Sequence, residues 1–249
     1  MDIEIIKLGL TASLAAGLAT GAGAIPVLFF TRISDRLLDV MLGFAAGVML
    51  AASSFSLIAP AIELGCVWVA VGGLAIGALT LHLIDRFIPH THFISGPEGP
   101  SSRLARLWLF IIAITLHNFP EGMAVGVSFG GEDIERGLII ATAIGLQNMP
   151  EGLAVAFPLL REEYSRGKAL LYATLTGLVE PVGGLLGAAM VSLSRPMLPW
   201  GLAFAAGAMI FVVSDEMIPE SHRKGFEREA TFDLIIGFIV MMLLDNLFA

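Results

Sequence analysis

Eight long apolar runs, near 6–30, 38–62, 66–88, 105–128, 136–160, 168–193, 198–220 and 230–248, constrain this chain more than anything else in it. A helix rising 1.5 Å per residue needs about 20 residues to cross a ~30 Å hydrocarbon layer, and each run supplies roughly that length. Backbone polar groups in lipid must be satisfied within their own segment, so the runs read as helices. The expected fold is an all-α polytopic membrane protein with eight transmembrane helices. Linkers are short except 89–104, where His90, His92, Gly96, Pro97, Gly99, Pro100, Ser101 and Ser102 make a flexible loop. No soluble domain fits between any two runs, so residues 1–249 are expected to form a single transmembrane domain.

Composition removes the competing classes. Hydrophobic residues make up 56% of the chain and charged ones only 14%, which does not suit a water-soluble protein. The 28 glycines fit close packing of membrane helices. A net charge of −8 without a basic stripe argues against a nucleic-acid partner. Cys66 is the single cysteine, so an intrachain disulfide and a thiolate metal cluster are both excluded. The start Met1-Asp2-Ile3-Glu4 lacks the basic region of a signal peptide, so the first run is kept as a span.

Lysine and arginine orient the spans. Arg32, Arg36, Arg86, Arg103, Arg106, Arg161, Arg166, Lys168, Arg223, Lys224 and Arg228 fall on one side, with Lys7, Arg136 and Arg195 on the other. The positive-inside rule places the larger group in the cytoplasm, and both termini therefore outside.

Two related hexapeptides interrupt this apolar background at depth: His117-Asn118-Phe119-Pro120-Glu121-Gly122 and Gln147-Asn148-Met149-Pro150-Glu151-Gly152. At 1.5 Å per residue His117 and Glu121 lie roughly 18–24 Å from the cytoplasmic end of the fourth span. Gln147 to Glu151 in the fifth span, Glu180 in the sixth and Met49 in the second come to about the same level. Positions i, i+1 and i+4 cover an arc of about 100° on a helix. His117, Asn118 and Glu121 thus share one face, as do Gln147, Asn148 and Glu151. Pro120 and Pro150 each remove an amide and are expected to open the preceding turn toward a cavity.

A lone proline in such a helix is ordinarily a kink, a lone Asn or Gln helix–helix glue, and a methionine packing. Two matching Asn-x-Pro-Glu-Gly units on adjacent antiparallel spans, with Glu180-Pro181 at the same level, call for more. Imidazole nitrogen and carboxylate oxygen are good ligands for a borderline divalent ion, and amide oxygens are weaker, exchangeable ones. Three carboxylates, Glu121, Glu151 and Glu180, need compensating charge in a low-dielectric cleft, and two divalent ions bridged by Glu121 and Glu151 would supply it. Weak ligands and no thiolate mean reversible binding, as conduction requires.

A second polar set gathers toward the cytoplasm: Asp39 at the start of the second span, His82 and Asp85 ending the third, and Asp215, Glu216, Glu220 and His222 in the seventh. These are read as transient contacts on an exit path, with His90 and His92 beyond them. Asp245 lies instead near the outer end of the eighth span.

These residues carry a resemblance to the ZIP (Zrt-/Irt-like protein) family of metal transporters, in its prokaryotic GufA-like branch. It covers essentially the whole chain. Its carriers are Met41-Leu42-Gly43-Phe44-Ala45-Ala46-Gly47, both Pro-Glu-Gly units, Glu180-Pro181, and Gly207 to Ser214 leading into Asp215-Glu216. The resemblance implies an inverted repeat of spans 1–3 and 6–8 around spans 4 and 5, a homodimer in the bacterial inner membrane, and zinc movement into the cytoplasm. It implies a first metal position of Met49, His117, Glu121, Gln147 and Glu151, and a second of Asn118, Glu121, Asn148, Glu151 and Glu180. Many relatives have His in place of Gln147 and Asp in place of Asn148; both departures weaken ligation, so cadmium, iron(II) and manganese are expected as additional cargo. No catalytic cofactor and no enzymatic activity are expected. Two other classes are weighed against this: a proton- or sodium-coupled carrier of an organic solute, and an intramembrane metalloenzyme. The second wants His-Glu-x-x-His on one helix, and the chain has His-x-x-x-Glu with no second histidine.

Overall fold

A computed structural model describes residues 3–87, 90–92, 96–98, 106–131, 134–223 and 225–248. The helices in chain order are α1 (Ile3–Ala24), α2 (Asp35–Ala51), α3 (Ala59–Leu64), α4 (Val67–Phe87), α5 (Arg106–Ser128), α6 (Ile134–Arg161), α7 (Arg166–Gly177), α8 (Glu180–Leu193), α9 (Leu198–Val212), α10 (Ile218–Ser221) and α11 (Glu227–Phe248). Among the described residues seven stretches are long and apolar enough to cross a membrane: Ile3–Leu28, Asp35–Leu64, Val67–Ile84, Ile134–Arg161, Arg166–Leu193, Arg195–Ser221 and Glu227–Leu247. Their bounds lie within a few residues of the apolar runs. Apart from one short hairpin, the described elements are helical, and the chain is built to cross a membrane. Within the stretch expected as a flexible loop, β1 (His90–His92) and β2 (Gly96–Glu98) pair antiparallel, His90 opposite Glu98.

Local chemistry sets the helix starts. Ser34 caps α2, its hydroxyl accepting from the Leu37 amide at 3.2 Å, and Ser165 caps α7 in the same way. Pro60, Pro181, Pro199 and Pro219 occupy first turns, where the missing N–H costs nothing. Pro120, Pro150 and Pro158 lie inside α5 and α6, which stay continuous through them. The irregular backbone sits elsewhere. A π-helical turn, Ala52–Ile58, joins α2 to α3, a second, Val213–Met217, joins α9 to α10, and the sixth span breaks at Leu178–Val179.

Glycine determines how closely the helices approach. A methyl on Gly47 would sit 1.9 Å from Leu234 O of α11, and one on Gly77 would sit 2.1 Å from Phe204 O of α9. On Gly122 it would fall 2.0 Å from Glu180 O of α8, and on Gly152 1.9 Å from Thr20 O of α1. Four helix pairs, α2 with α11, α4 with α9, α5 with α8 and α1 with α6, thus meet backbone to backbone, the small-residue packing of membrane helices. α2, α6 and α9 run through the interior, whereas α4 and α11 show the outside large apolar side chains such as Trp68 and Phe232, 77% and 67% exposed.

The end carrying most of the positive charge is closed by polar and aromatic contacts. Arg161 pairs with Asp35 at 3.0 Å, and Arg166 donates to Leu28 O at 2.8 Å. Beside them Trp108, Tyr164 and Tyr172 stack edge to face, and the Trp108 indole N–H donates to Tyr164 Oη at 3.1 Å.

Candidate metal centre

α5 and α6 bring the two hexapeptides face to face. The ligand atoms of His117, Glu121 and Glu151 all lie within 4.8 Å of one another. All three side chains are buried, as are Asn118, Gln147, Asn148 and Glu180. His117 Nε2 stands 3.5 Å from Glu151 Oε1, longer than a hydrogen bond should be. Gln147 donates its amide to Glu121 Oε1. Asn148 Nδ2 donates to Glu180 Oε1 at 2.5 Å and to Ala16 O at 2.8 Å, so α1 forms a wall of the site that sequence reading did not include.

What remains unsatisfied is the informative part. His117 Nε2, both amide atoms of Asn118, Glu121 Oε2, Gln147 Oε1, Asn148 Oδ1, both oxygens of Glu151 and Glu180 Oε2 are buried without a hydrogen-bond partner. Burying one such group unpaired costs about 1–3 kcal/mol, more if charged. A cluster of nine on three facing elements is hard to sustain as packing alone. The atoms are one imidazole nitrogen and several oxygens, the donor set that suits a divalent ion of borderline softness.

The exit-path candidates divide. Glu216 belongs at the centre instead: its Oε2 lies 3.2 Å from His117 Nδ1. The π turn Val213–Met217 adds a residue to that turn of the seventh span, shifting the phase of everything beyond it, which an uninterrupted 100° step misplaces. A carboxylate accepting from Nδ1–H leaves Nε2 bare and aimed at Glu151, the arrangement that orients histidine ligands. Asp39 is fully buried, because α2 begins at Asp35 and places it one turn inside the helix instead of at its mouth. Asp215 is half-buried on the same π turn as Glu216. His82 is exposed, its ring edge-on to Phe211 at 6.2 Å. His222 spends both ring nitrogens on the protein: Nδ1 lies 2.9 Å from Ile218 O and from Ser221 Oγ, and Nε2 2.8 Å from Thr231 Oγ1. It ties the end of α10 to α11. The side chains of Asp85, His90 and His92 lie outside the described residues. Met49 is fully buried at the end of α2 just before the first π turn. Ser56 of that turn donates to Asp245 Oδ1, near the end of α11, at 2.5 Å.

Sequence reading also missed what the last glycine of each hexapeptide does. Gly122 and Gly152 let α8 and α1 press against the turns that carry Glu121 and Glu151. A Glu-Gly step following a mid-membrane proline was the available signal.

Comparison with known proteins gives the family. Residues 95–245 match the family model described as "ZIP Zinc transporter". The zinc transporter GufA of Myxococcus xanthus is 47% identical over 247 residues, covering 95% of this chain and 97% of its own length. The zinc transporter ZIPB of Bordetella bronchiseptica is 48% identical over 243 residues, 93% of this chain and 79% of its own. Human zinc transporter ZIP11 is 35% identical, covering 91% of this chain and 93% of its own length. With a family model spanning more than half its residues and relatives matched nearly end to end, the chain belongs to the ZIP family.

Proposed function

We propose that this chain moves divalent metal ions, zinc foremost, across the membrane and into the cytoplasm through a binuclear site between α5 and α6. The observation that carries the reading is the convergence of His117 Nε2, Glu121 and Glu151 at the level where both hexapeptides cross, buried and unsatisfied. The names of the relatives as zinc transporters support the choice of ion. The first position is assigned to Met49, His117, Glu121, Gln147 and Glu151, the second to Asn118, Glu121, Asn148, Glu151 and Glu180. Amide oxygens at Gln147 and Asn148 supply no charge, and cadmium, iron(II) and manganese are additional cargo. The whole chain acts as one transmembrane domain with no enzymatic step.

Counting α5, 23 residues long, gives eight spans with both termini outside the bacterial inner membrane. The packing partners support an inverted repeat. Exchanging spans 1–3 for 6–8, and 4 for 5, turns the α2–α11 contact into α9–α4 and the α1–α6 contact into α8–α5, and all four exist. Spans 2 and 7 each carry a π turn, as that exchange requires. The apolar outer faces of α4 and α11 leave room for a second copy beside lipid, and a homodimer is the expected assembly.

Equilibrium titration of detergent-purified protein with zinc and cadmium tests the site, and zinc accumulation in reconstituted vesicles tests transport. Two ions bound per chain and metal-dependent flux are expected. Absence of high-affinity zinc or cadmium binding would sink the proposal.

A further inference from the structure

The break in the sixth span lies beside oxygen atoms of which only those of Glu180 belong to a metal position. α7 ends at Gly177 and α8 begins at Glu180. The carbonyl of Gly177 would normally receive the amide four residues on, but that residue is Pro181, which has none. The next carbonyl, of Leu178, is passed over because the Val182 amide bonds to Val179 O at 3.0 Å. The negative end of the α7 dipole thus terminates in carbonyls freed by the break.

α1 crosses this point at its closest. A methyl on Gly17 would lie 2.2 Å from Gly177 O and 3.4 Å from Glu180 Oε1, and a methyl on Gly177 would lie 2.6 Å from Thr20 Oγ1. The Thr20 hydroxyl is fully buried and has no hydrogen-bond partner. That sets it apart from Thr11, Thr80, Thr115, Thr174 and Thr231, each of which donates back to the carbonyl four residues earlier. Its own such acceptor, Ala16 O, is taken by Asn148 Nδ2. Glu180 Oε2 is likewise unpaired.

We propose that Thr20 Oγ1, the carbonyls freed at Gly177 and Leu178, and the Glu180 carboxylate bind a sodium ion. The donors are all oxygen and carry a single formal charge between them, which matches a hard monovalent cation and lacks the nitrogen that favours zinc. Broken membrane helices whose carbonyls and half-helix C-termini hold a coupling ion follow the same physics. Because Glu180 also faces the second metal position, sodium and the second zinc draw on one carboxylate, and each weakens the other by the same factor. Binding of sodium stands independently of the transport reading; only this coupling rests on it.

The test starts with zinc-free protein in detergent and chelator. Sodium chloride at saturating concentration is expected to raise the unfolding temperature by about 2–4 °C over equimolar choline chloride. Thr20→Val, which removes the hydroxyl at constant shape, abolishes the difference, and Thr20→Ser retains it. A sodium effect no larger than that of choline, or one that survives in Thr20→Val, overturns the proposal. Should Thr20→Val not elute as a folded species, radiolabelled sodium binding to the wild type decides: about one ion per chain supports it, and none overturns it. Zinc titrations in sodium and in choline then read the coupling. Sodium weakens the second zinc several-fold and leaves the first unchanged. Loss of zinc binding in choline would instead refute the metal reading, and leave the sodium result to be judged by itself.

Discussion

The two walls of the centre are built on one plan and finished differently. α5 presents His117, Asn118 and Glu121, and α6 presents Gln147, Asn148 and Glu151, each trio followed by a glycine that seats a neighbouring helix. The α5 wall has the only imidazole, and Glu216 of the seventh span steadies that ring. On the α6 wall Gln147 gives its amide to Glu121, and Asn148 gives its own to Glu180 and Ala16. Beside the carboxylate that each wall contributes, one supplies a strong, oriented nitrogen; the other supplies neutral amide oxygens and organises Glu121 and Glu180. A site made of two hard walls would bind tightly and release slowly, so the asymmetry suits passage.

The largest expected effect comes from removing the strong ligands. His117→Ala or Glu151→Ala abolishes vesicle zinc uptake while the protein still elutes as a folded species; near-normal accumulation by either would contradict the assigned site. Next are the seating glycines. Gly122→Ala and Gly152→Ala each force backbone apart, at a cost of about 1–3 kcal/mol, read as a lower unfolding temperature and reduced uptake. Equal penalties on the two walls would bear out the shared plan, and a penalty on neither would break it. Glu216→Gln keeps shape but frees the His117 tautomer, and zinc affinity is expected to fall about tenfold by titration. Unchanged affinity would mean the contact orients nothing. Gln147→His hardens the softer wall: zinc binding tightens by roughly 1.4 kcal/mol, a factor of ten, and flux slows. Faster flux with tighter binding would remove the argument from asymmetry. Glu180→Ala, which of the two metal positions touches only the second, should lower uptake by no more than a few-fold.

Seven of the expected spans, their approximate bounds, and the meeting of His117, Glu121 and Glu151 were readable from the chain because they depend on periodicity and hydropathy, which are local. His117, Glu121 and Glu151 meet because two uninterrupted helices each carry their trio on one face. Glu216 was misplaced because its position depends on a π turn, and no residue type marks one. Asp39 was read as a helix-mouth charge because apolar character begins three residues after the helix does. The prolines misled in the opposite sense. Pro120 and Pro150 were expected to open their helices, yet α5 and α6 run on, held by the close seats at Gly122 and Gly152. The break came at Glu180-Pro181, where the helix restarts. The α1 wall was invisible because Ala16 contributes only a backbone carbonyl and Gly17 only an absence of side chain.

The aromatic cluster at the positively charged end gives the molecule an optical handle. Of its three tryptophans, Trp68 and Trp200 show 77% and 38% of their surface to the outside, whereas Trp108 is stacked against Tyr164 and Tyr172 and donates its N–H to one of them. Brominated lipid should therefore dim the first two and spare the third. With Trp68 and Trp200 replaced by phenylalanine, emission from Trp108, fed by energy transfer from its tyrosines, would watch the positively charged end of α5 without any added label.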